Sequence, residues 1–430
     1  MTGSNRMAAL AVLTVLSGTS VAAQSVQKLS LHDAEQIAVQ NHPQIQAATD
    51  IASAAKAQVT EQRSAYYPTA YGSVTAADSE NNSRIAAGAL NNPIIYERYA
   101  NGLTVNQLVT DFGRTHELVK SSDLHARAEQ ENVATSRADV LLGVDQAYFA
   151  VQKAQSVLNV AQETVKERQL VADQVGELEK NKIKSGLDLS FANVDLAQAQ
   201  LLLVQAQNDL EASYAQLSAA LGYEDERTFE LAEEPVPPAP SANFADLLEQ
   251  ALQNRPELIS LRLDADSAHS YARAERDLSL PTISATGSAG LTPVGADQLA
   301  PRYAAAGVNV NIPIFNGHLF GALRSEANSR AKADDQYVRD LQNRIVRDVR
   351  TAWLNSNSAF QRLALTEQLL RNSTDALDLA QARYKLGLSS IIELSQAQLN
   401  LTQAELESAS SKFDYQTLRS VLKYQLGQLQ

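Results

Sequence analysis

"LDLSFANVDLAQAQL" (187–201) opens a run in which leucine returns every seventh residue, at Leu189, Leu196, Leu203, Leu210 and Leu217. A second ladder of small residues lies between them, at Ala192, Ala199, Ala206, Ser213 and Ala220. Alternating steps of three and four are the spacing of a coiled coil, and small seam residues let helix axes approach closely. "ELSQAQLNLTQAEL" (393–406) repeats the pattern: Leu189, Ser190, Ala192, Leu196, Gln198, Ala199 and Leu201 recur 205 positions later.

The repetition runs through the whole chain, and internal repeats order every other reading. "DAEQIAVQNHPQIQA" (33–47) matches "DLLEQALQNRPELIS" (246–260), which sets Asn41 and Pro43 on Asn254 and Pro256. "PT" at 68–69 falls on "PT" at 281–282, and "LG" at 221–222 on "LG" at 426–427. The chain is therefore one unit written twice, a first repeat over 24–222 and a second over 244–430. The segment between them, 223–243, is acidic and holds Pro235, Pro237, Pro238 and Pro240, so it reads as a linker.

Proline placement divides each repeat. None lies between Pro93 and Pro235 or after Pro313. Helix can run from about Arg114 to Lys184 and from His318 to Leu386, roughly 100 Å each. The seam continues through Val144, Ala147, Val151, Ala154, Leu158, Ala161 and Val165, and its copy through Val349, Ala352, Ala359, Leu363 and Leu370. Each long helix turns near 182–188 or 386–391 and returns, giving helical hairpins over 114–222 and 318–428.

Ahead of each hairpin stand two segments of period two. "LPTISATGSAGL" (280–291) sets Ile283, Ala285, Gly287, Ala289 and Leu291 against Thr282, Ser284, Thr286 and Ser288. "YAAAGVNVNIPI" (303–314) alternates likewise, and the first repeat offers weaker versions at 67–76 and 99–109, with Leu103 and Val105 facing away from Thr104 and Asn106. Period two marks strands. One continuous apolar face and one uncharged polar face, over about ten residues, suit a transmembrane β-barrel. Tyr66, Tyr67, Tyr99 and Tyr303 stand near strand ends, where an interfacial belt is expected. A half-buried soluble sheet alternates in the same way, but the chain also begins as an exported one. Arg6, the apolar run "MAALAVLTVL", and Val21 and Ala23 before a cleavage point form a signal peptide over 1–23. No later apolar run is long enough for a spanning helix. Four strands cannot close a barrel, so strands that cross a membrane require several chains.

Composition excludes much chemistry. A net charge of −13 argues against a nucleic-acid surface. There is no cysteine, and Met1 and Met7 both lie in the signal. The six histidines are scattered without zinc spacing, and neither a phosphate-cradling glycine loop nor a nucleophile elbow occurs. The expectation is no enzyme, no cofactor and no metal.

Two copies of strand, strand and long helical hairpin behind a signal peptide resemble the TolC-like outer-membrane factor family. The residues that carry this are "NHP" and "NRP", the "YPT" and "LPT" strand starts, "VTDFGR" (109–114), "IPIFNG" (312–317) and "ARYKLGLSSIIELSQAQ" (382–398). The resemblance implies a mainly α fold with a small β part. A homotrimer would place four strands per chain in a twelve-stranded outer-membrane barrel above a helical tunnel across the periplasm. It implies a passive exit duct for efflux or type I secretion, fed by a periplasmic adaptor and an inner-membrane pump of RND or ABC type. A periplasmic adaptor, or a structural coiled-coil rod, is the alternative; the duplicated alternating strands favour the duct. In the family the aperture lies at the hairpin tips. The resemblance places Glu393, Asp188 and Tyr384 there, with Gly387, Leu388 and Ser389 as the adaptor-contacting tip. Three-fold repetition would turn each acid into a ring that attracts cations. Asp188 can equally serve as an N-cap of the return helix. Ser389 stands where a gating arginine is often found, Gln396 where a second aspartate can occur, and Lys182 where the first tip glycine would be.

Overall fold

The computed structural model describes residues 28–80, 83, 94–241 and 243–429. The expected signal peptide lies outside the described residues. Each repeat runs helix, helix, strand, strand, helix, helix. The first comprises α1 (Leu31–Asn41), α2 (Pro43–Arg63), β1 (Thr69–Ala77), β2 (Arg98–Thr110), α3 (Arg114–Lys180) and α4 (Gly186–Ala220). The second comprises α5 (Phe244–Asn254), α6 (Pro256–Asp277), β3 (Thr282–Gly295), β4 (Arg302–Asn311), α7 (Leu319–Lys385) and α8 (Ile391–Gln425). Helices α3 and α7 have 67 residues each, about 100 Å of rod.

The duplicated motifs meet in space. Pro43 and Pro256 cannot continue the preceding helix but suit a first helical turn, so the chain bends at His42 and Arg255. Against each bend packs the glycine that ends the repeat's last helix. Gly222 (φ +80°) and Gly427 (φ +69°) adopt left-handed backbone, and a Cβ there would stand 3.0 and 2.8 Å from the Asn41 and Asn254 carbonyl groups. "NHP" with the first "LG", and "NRP" with the second, are two halves of one contact.

The seam is built from its small residues. On α4, Ala192, Ala199, Ala206 and Ser213 are buried, while Leu189, Leu196, Leu203 and Leu210 are only half-buried beside them. Along α7 the buried heptad is Ala352, Ala359, Thr366, Ser373 and Ala380. The α3 seam departs from expectation below Ala161: Thr164 and Arg168 are buried instead of Val165, which is half-buried. Leu187, Val194 and Leu201, one heptad stripe on α4, are exposed.

The strands form one antiparallel sheet in the order β1-β2-β3-β4, with β1 and β4 at its edges. Register aligns Leu103, Ala289 and Ala304 on one face, beside Val105, Gly287 and Ala306. Thr104, Ser288 and Ala305, and then Asn106, Thr286 and Gly307, occupy the other. There Thr286 Oγ1 donates to Asn106 Oδ1 at 2.7 Å. Val74, Leu103, Val105, Val308 and Val310 are exposed. Tyr303 shares a register row with Gly290 and Gly102 on the polar face and lies across both, where any Cβ would collide with its ring. It therefore does not join a belt on the apolar face.

The linker is a strap over its described residues 223–241 and 243. Its backbone pairs with the start of the chain through Leu29 N to Glu230 O (2.8 Å) and Ala232 N to Leu29 O (2.9 Å). Carbonyls that no local ladder satisfies are met by side chains of the long helices. Tyr148 Oη donates to Ala232 O (2.6 Å), Tyr415 Oη to Pro238 O (2.6 Å), Gln416 Nε2 to Glu234 O (3.0 Å) and Trp353 Nε1 to Ser241 O (2.8 Å). Proline-rich chain has few amides to place, so acceptors dominate the accounting.

Asp145, 1 % exposed, is a buried carboxyl of α3 beside Glu35 of α1 and Ser420 and Lys423 of α8. Burial pushes its carboxyl up to about 7, the nearby Glu35 carboxylate adding to the effect while Ser420 and Lys423 oppose it. The unfolded chain releases this proton near the ordinary aspartate range and the folded chain holds it until about pH 7. Stability contributed by the proton is therefore lost as pH rises through that window. Wild-type protein should show a thermal midpoint that falls by several degrees between pH 5 and pH 8, and Asp145→Asn should flatten that slope; circular dichroism checks both. Gly427→Ala combines a left-handed penalty with a backbone collision and should cost about 2 kcal/mol or more. Gly387→Ala has the penalty without a neighbour in the way, so denaturant titration should find it the milder substitution.

Candidate functional site

The hairpin tips collect the residues singled out from sequence. At the first tip α3 ends at Lys180 and Ser185 caps α4: its Oγ accepts the Asp188 amide at 3.2 Å. Asp188 Oδ2 answers by accepting the Ser185 amide (3.0 Å) and hydroxyl (2.8 Å). Ser185 is thus the N-cap, and Asp188 the third residue of a capping box. At the second tip Ser390 caps α8 and accepts the Glu393 amide at 3.4 Å. Glu393 is not a solitary acid. Arg383 Nε stands 3.2 Å from its Oε1 across the turn, so much of that carboxylate's field is spent within its own hairpin.

Both turns have one geometry built from different residues. Gly387 (φ +75°) and Lys182 (φ +61°) hold the left-handed position. Leu388 N donates to Arg383 O at 2.8 Å, and Ile183 N to Leu178 O at 2.9 Å, the six-to-one bonds of a Schellman ending. Leu388 and Gly387 are exposed, whereas Ser389 is half-buried with its Oγ unpaired.

Tyr384 faces inward, 6 % exposed, with the Lys184 ammonium 3.8 Å from its ring centroid. This cation–π contact ties the first tip to the second. Burial raises the phenol's pKa and the charge of Asp188 raises it further, so the hydroxyl stays protonated and remains a donor. Asp188 and Tyr384 are therefore in electrostatic reach, while Glu393 is engaged elsewhere.

Farther from the tips two polar bridges cross between hairpins. Arg168, 5 % exposed, donates to Gln398 O (2.8 Å) and Thr402 Oγ1 (2.9 Å) on α8. Ser395 Oγ donates to Asp195 Oδ2 at 2.6 Å. Burial lowers the Arg168 pKa, with Glu167, Asp195 and Glu405 opposing. These groups, with Arg383 and Lys184, were missed from sequence. Arg168 is marked only as a charge that falls on the heptad row of Ala147, Ala154 and Ala161, and Arg383 precedes Glu393 with no periodic relation. Among the described residues no cluster of three or more His, Asp or Glu is placed to hold a metal, and no helix is long and apolar enough to cross a membrane.

An open sheet with a lipid-type face, standing over two hairpins roughly 100 Å long, is the architecture of a subunit of an outer-membrane duct. The chain belongs to the outer membrane efflux protein family, whose model matches residues 35–223 and 247–428. Outer membrane protein TolC of Salmonella enteritidis is 24% identical over 356 residues, 77% of this chain and 71% of that protein. Alkaline protease secretion protein AprF of Pseudomonas aeruginosa is 23% identical over 418 residues, 93% of this chain and 85% of that one. The solved outer-membrane channel OprN superposes with a TM-score of 0.82 at 18% identity, over 92% of this chain and 89% of that chain.

The left-handed lysine at the first tip gives a direct check on the turn geometry. Lys182→Gly should relieve about 1 kcal/mol of local strain and slow amide exchange of Ile183 and Lys184, read by hydrogen–deuterium exchange.

Proposed function

We propose that three copies of this chain assemble into a passive exit duct of the outer membrane. The sheet order carries the reading: an even number of antiparallel strands per chain lets β4 of one copy pair with β1 of the next, antiparallel throughout. Twelve strands from three chains then close with no edge exposed to hydrocarbon. The exposed α4 stripe of Leu187, Val194 and Leu201 supports the same conclusion for the helices, because an unpartnered heptad row fits the flank of a neighbouring hairpin. The two repeats in each of three chains supply six hairpins to the wall. The chain divides for this purpose into a first repeat (24–222), a strap (223–243) and a second repeat (244–430).

Energy and selectivity come from outside the duct. An inner-membrane pump of RND or ABC type and a periplasmic adaptor would dock at the tips, where Gly387 and Leu388 present an exposed turn with Ser389 half-buried beside them. Relatives named for secretion (AprF) and for cobalt, zinc and cadmium resistance (CzcC of Cupriavidus metallidurans) support a conduit whose cargo is set by its pump. No catalytic step is assigned to it. Asp188 and Glu393 would line the periplasmic aperture, with Tyr384 behind them. Arg383 tempers the Glu393 charge within each chain, so Asp188 is the stronger cation-attracting ring. Planar-bilayer recordings test this: Asp188→Ala and Glu393→Ala should each change conductance or cation selectivity, the first more. Unchanged currents in both would remove these residues from the aperture.

A further inference from the structure

Behind the tips the two hairpins enclose a cleft of about 320 Å³, within the range of small-molecule sites. Its apolar lining is Leu170, Val171, Val175, Leu178 and Ile183 from the first hairpin and Leu394 from the second, with the neutral amides of Gln174, Gln381 and Gln398 between them. Its cationic groups gather at the tip end. Tyr384 is nearly fully buried, yet its hydroxyl has no hydrogen-bond partner, an arrangement that buried polar groups ordinarily avoid. Lys184 and Lys385 line the same end, and neither forms an ion pair among the described residues; Lys184 rests on the Tyr384 ring. Two ammonium groups and a hydroxyl therefore line this end with no carboxylate paired to them among the described residues. The nearest acid, Asp188, already accepts the Ser185 amide and hydroxyl. Glu167 closes the opposite end of the cleft, where it repels a second negative charge and sets the direction in which a polar-headed molecule lies.

We propose that this cleft binds a small amphipathic carboxylate. The head group sits between Tyr384 Oη, Lys184 and Lys385, and the apolar tail runs along Val175 and Leu170 toward Glu167. Charge-assisted bonds from the ammonium groups and the hydroxyl hold the head, while the tail covers leucine and valine surface. Both hairpins contribute walls, so an occupant favours the arrangement that joins them over any that separates them. On the aperture reading above, occupancy therefore lowers conductance.

The probe is 4-phenylbutyrate, with 4-phenylbutanol as the uncharged control, added to the full-length assembly in lipid nanodiscs. Saturation-transfer NMR should show saturable binding of the carboxylate and at least tenfold weaker binding of the alcohol. Tyr384→Phe and Lys184→Gln should each weaken carboxylate binding about tenfold, and Val175→Trp should abolish it by filling the cleft. Circular dichroism and particle mass establish that each variant is assembled; where Val175→Trp does not fold, the first two variants decide. Bilayer currents of wild type should fall on adding the carboxylate, and those of Lys184→Gln should not. Binding that is non-saturable, or equal in wild type and the two head-group variants, overturns the site; binding with unchanged currents overturns its coupling to the aperture. Neither result depends on the ligand-free currents of the Asp188 and Glu393 variants, which test the aperture alone.

Discussion

Unpaired backbone at the two edges of a four-stranded sheet is the constraint from which the rest of this protein follows. In water an edge strand is a hazard that charge or proline can blunt. In hydrocarbon it cannot stand at all, because each free amide and carbonyl there costs several kcal/mol. This sheet has exposed valine and leucine along one face and no charged residue inside β4 after its first position. It is built for apolar surroundings and is incomplete in them. In the proposed assembly copies of the chain supply the missing partners, and the even strand number makes the antiparallel sense continuous from copy to copy.

The helices carry that requirement downward. A rod of 67 residues far exceeds what intrinsic helix propensity needs, and its packing is organised around small residues. Alanine and serine at every seventh position bring α4 and α7 close to their neighbours, and the larger leucines flank the contact. Leucine placed there stays partly uncovered in one chain and, in the proposed assembly, is available to the next. The proline-rich strap fastens the middle of the rods. It has mainly carbonyls to offer, and Tyr148, Tyr415, Gln416 and Trp353 of the long helices supply the donors. At the tips the same fold supports different chemistry in its two copies: a glycine and an Arg383–Glu393 pair in one, a left-handed lysine and a capping box in the other.

What was legible in the sequence was whatever repeats with a fixed period. Heptads announced the hairpins, alternation announced strands with one apolar face, and the duplicated "NHP" and "NRP" announced a recurrent unit. Resemblance then named the family. What was hidden depends on contacts between distant positions. Nothing in the local pattern tells that Gly222 must be glycine because Asn41 is pressed against it. Tyr303 looks like a belt residue until strand register lays it over Gly290 and Gly102. Arg168 breaks an otherwise apolar seam, and only the fold shows that a carbonyl and a hydroxyl of α8 wait for it. The aperture residues were reached through resemblance rather than spacing, which is why the ion partner of Glu393 escaped notice.

The central claim is that β1 and β4 are paired between copies. Hydrogen–deuterium exchange on the lipid-embedded protein tests it most directly, by comparing edge-strand amides with those of β2 and β3. Amides of β1 and β4 that point away from their own chain should exchange as slowly as the inner ones. Fast exchange along both edges, with β2 and β3 protected, would mean an open sheet and would contradict the account.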